Sequence, residues 1–278
     1  MKAVVVVVAL VLAASGGAVE DASRYLETRQ QPGGGFAEPG GRVTPGLTAW
    51  SVIGLRTGGT SAASLADARS YLADAADELD SLTDAELVLT ALAKLGAPPS
   101  PLVERIRAAV RPSGAIGPTL NATIWGLIAL RAAGESAPSG SARYLLRQQH
   151  RSGGWSWAVG GAPDSNDTAA AVLALRAAGL RAGHPAIVRA LRYLRGLQNR
   201  DGGFELVRRR GSDVQSTAWA VQAFLAAGAR PGVAAYRYLS RMQRADGSLR
   251  YSARYAVTPV WVTAQALPAL ARTPLTRR

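Results

Sequence analysis

The stretch LQNRDGGFELVRRRGSDVQSTAWAVQAFLAAG, residues 197–228, carries the reading of the fold. It joins a glutamine, Gln198, to a diglycine turn ending in Phe204, and then to an apolar run that stops at Gly228. The order Gln, three residues, Gly, one residue, large apolar side chain occurs four times: Gln30/Gly34/Phe36, Gln149/Gly153/Trp155, Gln198/Gly202/Phe204 and Gln243/Gly247/Leu249. Val110, Gly114 and Ile116 fill the same slots in a degraded copy. An aromatic–Leu pair on a helical pattern precedes each glutamine, at Tyr25-Leu26, Tyr144-Leu145, Tyr193-Leu194 and Tyr238-Leu239. Tyr71-Leu72 marks a unit that lacks the Gln and Gly, which brings the count to six. Self-similarity at a period of roughly 35–50 residues is the signature of stacked supersecondary units.

A second helical run follows each turn. Aligned, these runs put Thr48, Thr123, Thr168 and Thr217 in one column and Trp50, Trp125 and Trp219 two residues later, with Ala170 there in the fourth unit. Trp261 of the sixth unit falls one residue off that column. The runs end at Gly59, Gly96, Gly134, Gly179 and Gly228, where a left-handed glycine closes a helix without steric cost. The turns PGGG, RSGG and RDGG suit positive φ, and no alternating strand pattern competes. Each unit therefore reads as a hairpin of two antiparallel helices. Six such hairpins must stack to bury their apolar faces. The small number of units and the lack of polar end repeats favour a closed ring over an open solenoid.

Gln-x3-Gly-x-Trp/Phe after an aromatic–Leu helix resembles the QW motif of squalene and oxidosqualene cyclases, a repeat family that also includes the β subunits of protein prenyltransferases. The resemblance covers residues of about 22–270. It implies an all-α fold, an α6/α6 toroid with six inner helices around a central cavity and six outer helices behind them. It also implies that Gln30, Gln149, Gln198 and Gln243 tie hairpins together through amide bonds to free helix-end groups.

Composition narrows the chemistry. The chain has 278 residues and 48% hydrophobic content, enough for a sizeable core in one large repeat domain. Without cysteine it has no disulfide, thiolate metal site, cysteine nucleophile or lipidated cysteine. With only His150 and His184, a histidine-built metal site or triad is not expected, and no metal or cofactor is assigned. The formal charge of +13 rests on arginine, since Lys2 and Lys94 are the only lysines. Such a surface suits an anionic partner such as an envelope polymer, although GC-rich codon usage inflates Arg and Ala together. No basic run with interleaved aromatics points to nucleic acid.

The N-terminus reads as a bacterial export signal over residues 1–18. Lys2 supplies the charge, AVVVVVALVLAA (residues 3–14) the apolar core and SGGA the small residues for cleavage near 15–18. The apolar run is too short to span a bilayer and no second one follows. The mature chain, residues 19–278, is expected to be a secreted or extracytoplasmic single toroid.

PDSNDTAA, which contains Asp164, Asn166 and Asp167, resembles the DxDDTA segment with which squalene-hopene cyclases protonate an alkene. Such protonation needs a positioned acid whose neighbouring carboxyl perturbs it. In register, Asn166 stands where the family has its central proton donor, and an amide cannot give up that proton. Asp164 and its counterpart Asp213 both precede a helix and fit N-capping. Asp167, whose counterpart is Ser216, is the remaining acid and the best catalytic or ligand-binding residue. Trp50, Trp125, Trp219 and Trp261 fall on inner helices, where they either pack between layers or line the cavity and stabilise cations.

The resemblance also sets limits. Hopene-type cyclases pair this toroid with a second helical domain, and this chain has room for one. The prenyltransferase zinc site needs a cysteine that is absent here. A glycan-cleaving toroid would need two carboxylates across a cleft, for which Asp84 and Glu86 with Asp167 and Asp213 are the available acids. The leading expectation is an exported toroid that binds a hydrophobic, isoprenoid-like or corrinoid-like ligand in its cavity, with Asn166 and Asp213 among the ligand-facing residues. An isoprenoid cyclase using Asp167, and Asp164 beside it, is the alternative.

Overall fold

In the structure, a computed structural model that describes residues 17–277, each unit folds into an outer helix, a tight turn and an inner helix. The outer helices are α1 (residues 17–27), α3 (Ala66–Asp74), α5 (Ser100–Ala108), α7 (Ser141–Arg147), α9 (Pro185–Arg195) and α11 (Val233–Met242). The inner ones are α2 (Pro45–Gly58), α4 (Leu82–Lys94), α6 (Leu120–Ala132), α8 (Ser165–Ala177), α10 (Val214–Ala226) and α12 (Pro259–Leu270). The expected export signal lies almost wholly outside the described residues; Gly17 and Ala18 already belong to α1.

Burial separates the two layers. In α9 only Ala186, Ile187, Ala190 and Leu194 are buried, a single stripe, and Arg192 and Arg195 stay at the surface side. In α6 every residue from Ala122 to Leu130 is buried, because neighbours cover it on all sides. The inner helices pack in chain order, α2 on α4 and so on to α10 on α12, and α12 packs back on α2. The ring is closed, as expected. Gly54 makes the last contact possible: a Cβ there would lie 2.5 Å from the Ala264 carbonyl oxygen.

The repeated turn does the joining. In three of the four intact copies the backbone pairs across it, Gln30 with Phe36, Gln198 with Phe204 and Gln243 with Leu249. The apolar residue then donates its N–H to the column threonine: Phe36 to Thr48, Trp155 to Thr168 and Phe204 to Thr217, each at 2.9 Å. Leu249 donates to Thr263 in the same way, so Thr263 belongs to this column. Hence Gln265, not Trp261, occupies the sixth tryptophan place, and the sequence alignment of that unit is corrected.

Each glutamine amide donates to the carbonyl of its turn glycine, Gly34, Gly153, Gly202 or Gly247. Only Gln149 and Gln243 also reach the next hairpin, donating at 2.8 Å to Ala186 O and Ala18 O. The acceptors are first-turn carbonyls of outer helices, not the free helix-end groups expected. The turn glycine is itself a contact. Gly247, at φ +87°, lies so close to α1 that a Cβ would sit 2.1 Å from Asp21 O. Gly34, Gly114, Gly153 and Gly202 meet the next outer helix in the same manner.

A second chain of bonds runs around the rim at the N-terminal ends of the inner helices. Asn121 N donates to Trp157 O, Ser165 N to Leu206 O and Val214 N to Tyr251 O, so each turn caps the preceding inner helix. At the seam the Glu38 side chain takes over, accepting from Val260 N at 2.9 Å and Trp261 N at 2.8 Å. A carboxylate there also suits the positive end of the α12 dipole, and α12 has no side-chain cap of its own. The opposite end of the ring is crossed by residues 271–277, with Leu275 buried and its N–H bonded to Gln222 Oε1.

Candidate functional site

At the rim end the lumen opens into a cavity of about 230 Å3. Its walls come from two places on each inner helix, two residues before and two after the threonine column. The first place supplies Thr83, Asn121, Asn166, Gln215 and Trp261; the second supplies Trp50, Leu87, Trp125, Trp219 and Gln265. Asp167 joins them. Of the residues expected at a site, Trp50, Trp125, Trp219, Trp261, Asn166 and Asp167 are therefore brought together, from helices far apart in the chain.

Three tryptophans form the floor. The ring centroids of Trp50 and Trp125 are 5.3 Å apart, and each lies 5.9 Å from Trp219. The planes are near perpendicular, 87–88°, so the positive edge of one ring meets the negative face of the next. Packing between layers and cavity lining are thus one role here. Trp219 Nε1 donates to Gln265 Oε1 at 3.0 Å, and Gln215 Nε2 donates to the same oxygen.

Asp167 sits in the first turn of α8. Asp164, the N-cap, accepts the Asp167 N–H at 2.8 Å, and the Asp167 side chain lines the lumen beside it. Asn121 Nδ2 donates to Asp167 Oδ1 at 3.2 Å. Burial pushes the Asp167 carboxyl up to about 8, aided by the charge of Asp164 and a hydrogen bond between the two carboxyls, while Asn121 pulls the other way. The group therefore holds its proton more tightly than an ordinary carboxyl, beside the tryptophan rings of the cavity.

The other acids do not face the lumen. Asp213 caps α10 with both oxygens engaged, Oδ1 by Ser216 N at 2.7 Å and Oδ2 by the Ser216 hydroxyl at 2.8 Å. It borders a separate groove, so its placement among the central ligand-facing residues is corrected. Asp84 accepts from the Ser81 hydroxyl at the start of α4, outside the ring. Glu86 is fully buried beside Gly126 and Ile116, away from the cavity, and neither carboxylate oxygen has a hydrogen-bond partner. Its carboxyl is raised well above the ordinary value by burial. No two carboxylates face one another across the lumen in the manner of a glycosidase pair, among the described residues. Nor do these residues include a cluster of His, Cys, Asp and Glu able to hold a metal ion.

Sequence reading missed Asn121, Gln215 and Gln265. Gln265 lies in the tryptophan column once the sixth unit is aligned on Thr263, and Asn121 and Gln215 lie two residues before the column threonine, so extending the alignment that far would have found them.

The squalene-hopene cyclase N-terminal domain model matches residues 124–194, from mid α6 to the end of α9. No curated protein sequence matches the chain significantly. Among solved structures, a protein from Actinoplanes superposes with a TM-score of 0.71 at 20% identity over 93% of this chain and 99% of its own. The type II terpene cyclase MstE from Scytonema, without ligand, gives 0.73 at 17% identity over 96% and 99%. A glycosidase in complex with glucose gives 0.68 at 14% identity over 95% and 98%. At these identities the likeness is one of fold. The superposition spans nearly all of that cyclase chain. The chain thus shares the closed α6/α6 toroid of these structures, and its residues 124–194 match the squalene-hopene cyclase N-terminal domain.

Proposed function

We propose that the protein is an exported terpene cyclase-type enzyme that protonates a short isoprenoid in the central cavity, with Asp167 as the acid. The observation that carries this reading is a buried carboxyl, held by Asn121, at a cavity floored by three tryptophans. An acid whose pKa lies near the working pH keeps its proton until substrate arrives, which favours general-acid catalysis. The proton is one that Asp167 shares with Asp164, with the Asn121 amide on Asp167 Oδ1. It passes to the less substituted carbon of a terminal alkene, the cation forms at the more substituted carbon, and an internal alkene closes on it. Loss of a proton to the Asp167 carboxylate or to water ends the sequence. Tryptophan faces stabilise the cation in a site with little water.

Volume limits the substrate. At interior packing density 230 Å3 holds about 10–15 carbon atoms, too few for a C30 chain or for a corrinoid. Leu87 and Ala170 occupy the places where tryptophans are missing, and the three rings fill the depth below.

Binding without turnover is the second reading. Asn166 favours it, since an amide stands where the cyclase resemblance expects the central donor. Incubation with geraniol, farnesol and their diphosphates, followed by gas chromatography–mass spectrometry, separates the two. Cyclic product lost in Asp167→Asn supports the enzyme; ligand-induced stabilisation with no product supports the carrier. Neither product nor stabilisation refutes both. Export and contact of the arginine-rich surface with an anionic envelope polymer complete the proposal, and N-terminal sequencing of secreted protein tests the former.

A further inference from the structure

At the junction of the fifth and sixth hairpins a groove of about 630 Å3 opens on the outer side of the ring, apart from the lumen. Tyr238 of α11 forms its base. The ring is only 2% exposed, and its hydroxyl has no hydrogen-bond partner. The preceding junction shows what is missing. There Tyr193, at the same place in α9, donates its hydroxyl to Pro163 O at 2.7 Å, just before the N-cap of α8. The equivalent carbonyl for Tyr238 is that of Ser212, just before the N-cap Asp213. Ser212, however, lies in β2 (Ser212–Asp213), paired with Glu205 of β1 (Phe204–Glu205), a ladder the fourth hairpin has only as a single bridge. The Tyr238 hydroxyl is left as an unused donor buried beneath the groove. Burial, with Asp201 and Asp213 nearby, drives its pKa far above the ordinary value, so it donates and does not ionise.

The remaining walls define the ligand. Asp201 and Asp213 disfavour an anion, and Arg210 and Arg254 disfavour a cation. Tyr251 and Tyr255 present aromatic rings, and Tyr255 is 55% exposed. Donors and acceptors of both signs around aromatic faces suit a neutral, hydroxyl-rich ring, which stacks its C–H face on tyrosine and accepts from a phenol. We propose that this groove is a saccharide-binding subsite, sized for two or three sugar units. It is independent of the reaction assigned to the lumen.

The test titrates maltose, cellobiose and trehalose into the full chain, read by saturation-transfer NMR and thermal shift. At least one should bind in the millimolar range. Tyr255→Ala, at an exposed position, should weaken it about tenfold. Tyr238→Phe should weaken it about fivefold, the worth of one hydrogen bond, while leaving the melting temperature of the free protein unchanged or higher. Asp167→Asn should leave it unaltered. No binding by any of the three sugars overturns the proposal. So does equal affinity in both tyrosine variants, or loss on Asp167→Asn, which would put the sugar in the lumen.

Discussion

Asp167→Asn tests the electrostatics of the lumen most directly. The folded-state carboxyl titrates at about 8 against an ordinary 3.8. A group raised on folding binds its proton more tightly in the native state, so its contribution to stability is complete at low pH. That contribution is lost as pH climbs from about 4 to about 8. At about 1.4 kcal/mol per pH unit the spread between the two values caps the loss at ~6 kcal/mol. Relaxation of a cavity that opens at the rim, at an effective dielectric nearer 20 than 4, brings the expected loss to ~2–3 kcal/mol. For a chain of this size that lowers the melting temperature by ~5–10 °C. Glu86 slopes the same way, because burial raises its carboxyl too. The assay is therefore thermal unfolding from pH 4.5 to 9 in a Glu86→Gln background, with and without Asp167→Asn. The Asn variant should lose the slope and become the more stable protein at pH 9. Parallel curves would show that Asp167 is ionised throughout, and the acid would be gone from the proposed reaction.

Gly247→Ala must push its Cβ into the Asp21 carbonyl at φ +87° and should cost more than ~3 kcal/mol or prevent folding, whereas Gly59→Ala, with positive φ but nothing within 4 Å, should cost only ~1–2 kcal/mol by urea unfolding. Glu38→Ala removes both acceptors at the α12 N-terminus and should cost ~2 kcal/mol, with Glu38→Gln recovering part of it. Glu86→Met replaces a buried carboxyl without partners by an apolar chain of similar volume and should raise stability at pH 8 by ~1–2 kcal/mol. Trp125→Ala should cost ~3–5 kcal/mol yet open the floor, so that farnesol gains affinity relative to geraniol in a competition assay; unchanged selectivity would show that the floor does not set ligand length.

Much of this was legible in the residues because repetition is itself a structural statement. Helix type, six units, the left-handed glycines and the threonine column all follow from local backbone and capping chemistry, which acts over a few residues. Even the sixth helix obeys the rule, ending at Arg272 with φ +53°, although no glycine announces it. Trp261 misled for the same reason in reverse: matching residue type, not the threonine that holds the turn, left the register about one helical turn short of Gln265.

The amino-acid order alone determined the hairpins and the need to stack them, since a face of Ala, Leu and Val must leave water wherever it folds. The residues themselves marked Asp164 and Asp213 as caps; only the tertiary structure decided how strongly Asp167 holds its proton. Asp164 and Asp213 cap their helices in the same way, and they differ because one has Asp167 beside it and the other Ser216. A carboxyl's charge depends on how much water the surrounding helices exclude, and that exclusion comes from residues 50, 125 and 219, none of them near residue 167 in the chain.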